Sequence, residues 1–199
     1  MSLPTRFILI RHAQTKWNHE QRYAGSSEVP LSDEAHEQIG RLAAKLADKK
    51  LDAAYSSPLT RCQLTIGPTA KAHNLPITIL PELKERNLGA WEGKAAHELD
   101  LHHGGYQFPV SAYDGSFRIP KAETIEAAEH RIRTALRAMA EAHPGETVLV
   151  GTHGGIIRIL LQHIVANPPD EITWPGNCAR YHLLWNNGHC ELEEIHDGW

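Results

Sequence analysis

Four consecutive apolar residues, Phe7 to Ile10, follow Arg6 and give way at once to a polar stretch, Arg11 to Asn18. A short apolar run bounded in this way predicts a buried strand over residues 6–10. Further on, Ile39, Leu42, Ala43 and Leu46 recur at i, i+3, i+4 and i+7, one apolar face of a helix. Ser32 is placed to cap that helix. Asp33 and Glu34 fall in its first turn, and Lys45, Lys49 and Lys50 lie near its end, as the helix dipole favours. Residues 51–56 read as a second strand. Ser57-Pro58 then predicts another helix, with serine at the cap and proline first inside. A third strand is expected at Ile77–Leu80.

Residues 94–122 carry no period, being broken by Gly104-Gly105, Pro109 and Pro120. Thr124 then caps a long predicted helix whose face is Ile125, Ala128, Ile132, Ala135, Leu136 and Met139, closed by Pro144-Gly145. Thr147–Val150 predicts a fourth strand. The run IIRILLQHIV, residues 156–165, is apolar on nearly every side and predicts a buried helix. Arg180–Trp185 and Cys190–Ile195 flank Asn187-Gly188, a two-residue hairpin signal.

Strands alternating with helices predict an α/β fold, a three-layer α/β/α arrangement around a mainly parallel central sheet. No linker, repeat or low-complexity block divides the chain, so residues 1–199 are expected to form a single domain. Ligands of such sheets bind beyond the carboxyl ends of the strands. Arg11-His12 and His153 both fall there, which points to a shared site.

Composition narrows the function. The chain has 199 residues, 41% hydrophobic and 22% charged, and a formal net charge of −4. No electrostatic case exists for a nucleic-acid partner, and an anionic ligand must be held by local basic residues. Cys62, Cys178 and Cys190 form neither a CxxC pair nor a dense framework, as expected in a reducing compartment. Phe7–Ile10 is too short for a signal core, and no stretch approaches the roughly 18 apolar residues of a membrane span. A cytoplasmic protein without a membrane partner is therefore expected. Oligomeric state is not legible in these residues.

Four segments carry candidate chemistry. In RHAQTKWN, residues 11–18, a histidine beside an arginine stands straight after a buried strand. In SSPLTRC, residues 56–62, Arg61 lies near the start of a helix whose first turn offers free N–H groups, and its guanidinium forks onto phosphate oxygens. In LKERNLGAWEG, residues 83–93, Glu85 precedes a glycine-bounded turn. In VLVGTHGGIIR, residues 148–158, Gly154-Gly155 let the backbone approach a ligand at a helix N-terminus.

Together and in this order, the four segments resemble the histidine phosphatase superfamily, the phosphoglycerate mutase-like proteins. Arg11, His12, Thr15 and Asn18 match the opening signature, and Ser56, Ser57, Pro58, Leu59 and Arg61 the second. Leu83, Glu85, Gly89, Trp91, Glu92 and Gly93 match the third, and His153 to Arg158 the fourth. Ala13 departs from a glycine, Ala35 from a frequent glycine and Leu64 from a frequent glutamine. Lys121-Ala122-Glu123-Thr124 replaces a common Gly-Gly-Glu-Ser.

The resemblance implies a phosphoglycerate mutase-like fold and a phosphohistidine formed on His12. It implies Arg11, Arg61 and a protonated His153 as donors to the phosphoryl oxygens and Glu85 as acid and then base. Asn18, Gly25 and the Gly154 N–H are implied as substrate contacts. The physical logic agrees: a neutral imidazole is a competent nucleophile near pH 7, and charge spread over equatorial oxygens needs preorganised donors. With such donors no metal and no cofactor is required, and the partner is a small-molecule phosphate ester.

Rival chemistries lack their signatures. There is no Cys-x5-Arg, no P-loop, no HExxH and no Gly-x-Ser-x-Gly. His102-His103 has no neighbouring Cys or Asp pair to complete a metal site. The family includes hydrolases and mutases. Mutases carry a longer, arginine-rich insertion after the glutamate motif. Residues 94–122 have only Lys94, Arg118 and Lys121 as basic residues. Tyr106, Phe108, Tyr113 and Phe117 suit an apolar lid. The phosphatase branch is expected, with mutase-type transfer and a catalytically silent phospho-ligand binder as the alternatives.

Overall fold

A computed structural model describes residues 3–99, 113 and 118–198. Among these, strands β1 (Thr5–Arg11), β2 (Ala53–Ser56), β3 (Ile77–Ile79), β4 (Thr147–Thr152), β5 (Arg180–Asn186) and β6 (His189–His196) form one sheet in the order β3-β2-β4-β1-β5-β6. The first four run parallel to their neighbours in that group, while β5 lies antiparallel to β1 and to β6. The mainly parallel sheet is thus extended by an antiparallel hairpin. The hairpin turns at Asn187 and Gly188, whose φ of 49° and 85° are the two positive values a tight two-residue turn requires.

Helices cover both faces. They are α1 (Lys16–His19), α2 (Ala35–Leu46), α3 (Thr60–Ala72), α4 (Ala96–Leu99), α5 (Ile125–Ala142) and α6 (Gly154–His163). Successive residues of a strand point to opposite faces, and β1 splits accordingly. Phe7 and Leu9 join Ile132, Leu136 and Met139 of α5 and Ile156, Ile157 and Leu160 of α6 in one core. Ile8 and Ile10 join Ile39, Leu42 and Leu46 of α2 and Ile66 and Ala70 of α3 in another. A third cluster, including Leu88, Trp91, Tyr113, Ile119 and Ile159, lies under the cleft wall. Burial on this scale stabilises by roughly 1.5–3 kcal/mol per large side chain before conformational entropy is subtracted.

Two helix starts differ from the expectation. Helix α2 begins at Ala35 with no side-chain cap; Ser32 stands two residues ahead of the cap position, Glu34, and its hydroxyl donates to Gln14 Oε1 at 2.8 Å. Helix α3 begins at Thr60, and Ser57 stands ahead of it, its Oγ accepting from Leu59 N–H at 3.3 Å and lying 2.7 Å from His153 Nε2. The first-turn N–H groups expected to meet an anion there are partly used: Thr60 N–H donates to Glu28 at 3.2 Å. Thr124 caps α5 as expected, accepting from Ala127 N at 3.1 Å. Pro68 lies within α3. His102-His103, Tyr106, Phe108 and Phe117 lie outside the described residues. No helix among the described residues is long and apolar enough to cross a membrane.

Candidate active site

The strand ends place the functional residues. β1 ends at Arg11, and His12 follows, its N–H donating to Thr152 O at the end of β4 at 3.1 Å. Because β1 and β4 run parallel and adjacent, the motifs at 11–12 and 153–154 arrive side by side. The rings of His12 and His153 stand edge to face, 5.3 Å between centroids. Arg61 arrives from the first turn of α3, which packs over Gly151: a Cβ there would lie 3.2 Å from Ile66 Cδ1. Glu85 follows a short 3-10 turn, Pro81–Leu83, pinned by Thr152 Oγ1 donating to Leu83 O at 3.0 Å.

An open-mouthed cleft results, lined by Arg11, His12, Asn18, Gly25, Arg61, Glu85 and Gly154, with Tyr23, Leu88, Tyr113 and Trp174 as apolar wall and Arg22 beside them.

His12 is held in one tautomer. Its Nδ1 lies 2.7 Å from Ala13 O, a carbonyl that can only accept, so Nδ1 carries the hydrogen and Nε2 keeps its lone pair. Burial, then Arg61 and Arg11, push its pKa well below the ordinary histidine value. The ring is neutral at pH 7.

Arg11 is buried, and its pKa is brought down to about 10 mainly by desolvation, so it remains charged. Its Nη1 donates to Pro175 O, and its guanidinium lies 5.8 Å from the Trp174 ring centre. Arg61, 1% exposed, donates from Nη1 to Ser27 O at 2.7 Å and from Nη2 to Gly25 O at 2.9 Å. The Nε atoms of both arginines are buried without a hydrogen-bond partner among the described residues. Two buried cations with unused donors at the rim of one cleft are equipped to meet an anion.

Glu85 is buried, with Arg86 N–H donating to Oε1 at 2.8 Å and Gly155 N–H to Oε2 at 3.0 Å. Desolvation raises its pKa against those bonds, which pull it down. The Tyr113 hydroxyl also bonds to it. Gly155 has no room for a side chain: a Cβ would stand 1.9 Å from Tyr113 Cε1 and 2.6 Å from Glu85 Oε1. The glycine pair thus serves close approach, as its sequence suggested.

Asn18 sits in a capping box. Its N–H donates to Thr15 Oγ1 at 3.2 Å, and its Oδ1 accepts from Thr15 N–H at 3.0 Å and from Asn177 Nδ2 at 3.4 Å. With Oδ1 so engaged, its Nδ2 donor is left for the cleft. Gly25 adopts φ 49°, and its carbonyl holds Arg61. The loop around it hangs on Glu92, which accepts from Ser26 N–H, Leu88 N–H and the Ser26 and Ser27 hydroxyls.

His153 departs from expectation. It is fully buried, capping α6, and its Nε2 lies 2.7 Å from Ser57 Oγ. Desolvation, then Arg61 and His12, push its pKa well below the ordinary value. The expected protonated donor is therefore neutral in the free site, because burial beside two guanidiniums disfavours a third charge. Ala13 has no positive φ, so the missing glycine carries no backbone strain there. Lys121 does, at φ 62°.

The structure adds residues that the motifs did not indicate. Asn177 Nδ2 donates to His12 O at 3.0 Å. Trp174 and Pro175 press on Arg11, and Arg158 donates to Ile172 O in the same loop. Only a turn-like Pro175-Gly176-Asn177 marked this segment in the sequence.

Residues 7–198 match the family model described as histidine phosphatase superfamily (branch 1). The chain belongs to that superfamily. It is 29% identical over 166 residues to the Bacillus subtilis phosphatase PhoE, described as uncharacterized, covering 83% of this chain and 80% of that one. It is 33% identical over 169 residues to a metal-independent phosphoserine phosphatase of Arabidopsis thaliana, covering 80% and 68%. The structure of Bacillus stearothermophilus YhfR superposes with a TM-score of 0.80 at 24% identity over 94% of this chain and 95% of that one. The last likeness shows the phosphoglycerate mutase-like fold. The chain is also 32% identical over 158 residues to phosphoglycerate mutase-like protein 4 of Arabidopsis thaliana, covering 78% and 69%, so its sequence relatives include phosphatases and a mutase-like protein.

Proposed function

We propose that this protein is a metal-independent phosphomonoester hydrolase acting on a small phosphorylated metabolite through a phosphohistidine on His12. The observation that carries the reading is the His12 Nδ1 bond to Ala13 O, which leaves Nε2 as a free lone pair between two buried arginines. Nε2 attacks phosphorus while the ester P–O bond breaks. Glu85, protonated more readily than a free glutamate because it is buried, gives its proton to the departing alkoxide. The carboxylate so formed takes a proton from water, whose oxygen attacks phosphorus. The N–P bond breaks and inorganic phosphate leaves.

Arg11, Arg61, the Asn18 amide and the Gly154 N–H are the donors in this scheme, and Gly25 positions Arg61. Each charge-assisted bond contributes roughly 1.5–3 kcal/mol. A phosphoryl dianion offsets the two guanidiniums at His153 and favours its imidazolium, so His153 gains its proton on substrate binding while His12 stays neutral to attack. The aromatic wall of Tyr23, Tyr113 and Trp174 suits the organic part of the ester. We read residues 1–199 as one domain of a cytoplasmic enzyme. The three buried free cysteines support the reducing compartment, and the net charge offers nothing to nucleic acid.

The test is release of phosphate from p-nitrophenyl phosphate and a phosphomonoester panel in EDTA, with acid quench to trap labelled phosphoenzyme. Wild type should turn over and yield label on His12, and His12→Ala should lose both. Turnover retained in His12→Ala refutes the assignment. Interconversion of 2- and 3-phosphoglycerate without net phosphate release would establish mutase chemistry instead.

A further inference from the structure

Away from the cleft, the antiparallel hairpin gathers a second set of ligating side chains. His182 on β5 pairs with Ile8 of β1 and with Glu194 of β6. Directly paired residues share a face, and so do residues two apart on one strand, which adds His196. A register shift between His182 and Leu183 breaks the regular ladder beside the cluster. One ligand atom from each of His182, Glu194 and His196 lies within 4.8 Å of the other two. Nε2 of His196 is 3.0 Å from Glu194 Oε1, and the two imidazoles stand edge to face at 5.3 Å. None of the three lines the catalytic cleft.

We infer that His182, Glu194 and His196 form a binding site for a single divalent transition-metal ion, of which zinc fits the ligand set best. Bonds of about 2.0–2.2 Å around a tetrahedral ion put neighbouring ligand atoms about 3.3 Å apart. The Glu194–His196 pair already has nearly that separation, so an ion would take the place of the shared proton. His182 supplies the third side from the paired strand, its ligand atom within 4.8 Å of the other two.

Two imidazoles and one carboxylate select zinc, nickel or copper over calcium or magnesium, which want oxygen. Lys49 and Arg180 act on His182 as opposing charges, so attraction by charge alone would not hold a cation here, and coordination must. His182 is half-buried, so its imidazole is held near the cluster rather than free in solvent. The site is open on the solvent side, where water completes the shell. Its role is structural: the ion would clip the edge strand β6 onto β5 close to the chain's last residues.

The experiment titrates zinc chloride into metal-free full-length protein by calorimetry at pH 7.5, alongside His182→Gln and His196→Gln. Both variants are checked for native circular dichroism and undiminished p-nitrophenyl phosphate turnover. Wild type should bind one zinc equivalent that is weakened at least tenfold in each variant. A cobalt titration should give a ligand-field absorption band in wild type that each variant loses. Unchanged zinc stoichiometry and affinity in both variants, or binding in wild type no tighter than in the variants, overturns the inference. The zinc and cobalt readouts do not depend on whether the cleft hydrolyses phosphate esters, and circular dichroism alone establishes folding if it does not.

Discussion

At the scale of single residues, the sequence revealed identity more readily than state. Arg11, His12, Arg61, Glu85 and His153 were all visible in their motifs and lie around or immediately behind one cleft. Their protonation was less visible, because it depends on how deeply each is buried and on which cations stand next to it. His153 is the case in point, neutral where a charged donor was expected. Backbone strain behaves the same way. Ala13 replaces a family glycine without positive φ, whereas Lys121 replaces one at φ 62°. A side chain in that region costs about 1–2 kcal/mol. Lys121→Gly should therefore raise the free energy of unfolding by about 1 kcal/mol, as urea titration would detect. The gain is reduced by the greater freedom glycine has in the unfolded chain.

At the scale of elements, hydrophobic pattern located β1 to β4 and the helices α2, α5 and α6, while the Ser57-Pro58 cap signal located α3 and the Asn187-Gly188 turn located β5 and β6. The starts of α2 and α3 were misplaced for a shared reason. Ser32 and Ser57 carry the right chemistry for caps, but each stands two residues ahead of the cap position its helix takes, Glu34 and Leu59. The segment 172–179 was illegible, since its meaning lies in long-range contacts. Asn177 holds the His12 carbonyl, Pro175 accepts from Arg11, and Cys178 N–H donates to Arg11 O at 3.1 Å. This strap acts through the nucleophile's backbone. Asn177→Ala should lower kcat by about tenfold, the effect of slight misplacement, with KM changed less than twofold. Steady-state kinetics separates that outcome from a loss of binding, and Asn177→Asp should restore less than the wild-type amide because it lacks the donor. The three ligating residues of the hairpin were equally hidden: the Asn187-Gly188 turn was readable, but the register shift that accompanies their grouping was not.

At the scale of the whole molecule, buried histidines link the site to stability. His12 and His153 both titrate below their unfolded value of about 6.5. Between the folded and unfolded values the unfolded chain binds more protons. The free energy of unfolding therefore rises with pH in that window and falls as acid is added. Glu92 adds to the trend at lower pH. Burial alone would raise its pKa, but hydrogen bonds from Ser27, Leu88 and Ser26 hold it below the ordinary value. Glu85, raised by burial, opposes it above about pH 4.3. Unfolding in urea at pH 7.5 and 5.5 should show a loss of at most about 1.4 kcal/mol per pH unit for each histidine. His12→Asn should lower that slope. Saturating inorganic phosphate should also lower it, since the bound dianion favours the His153 imidazolium.

The placement of β1 has a consequence for motion. It lies between β4 and β5 and is hydrogen-bonded along both edges, with cores pressed on both faces. Its amides can meet solvent only when the sheet itself comes apart, so Leu9 and Ile10 should exchange hydrogen for deuterium as slowly as any residues in the chain. The nucleophile is thereby mounted on the least yielding part of the molecule, and the wall around it can breathe during turnover without shifting the attacking nitrogen.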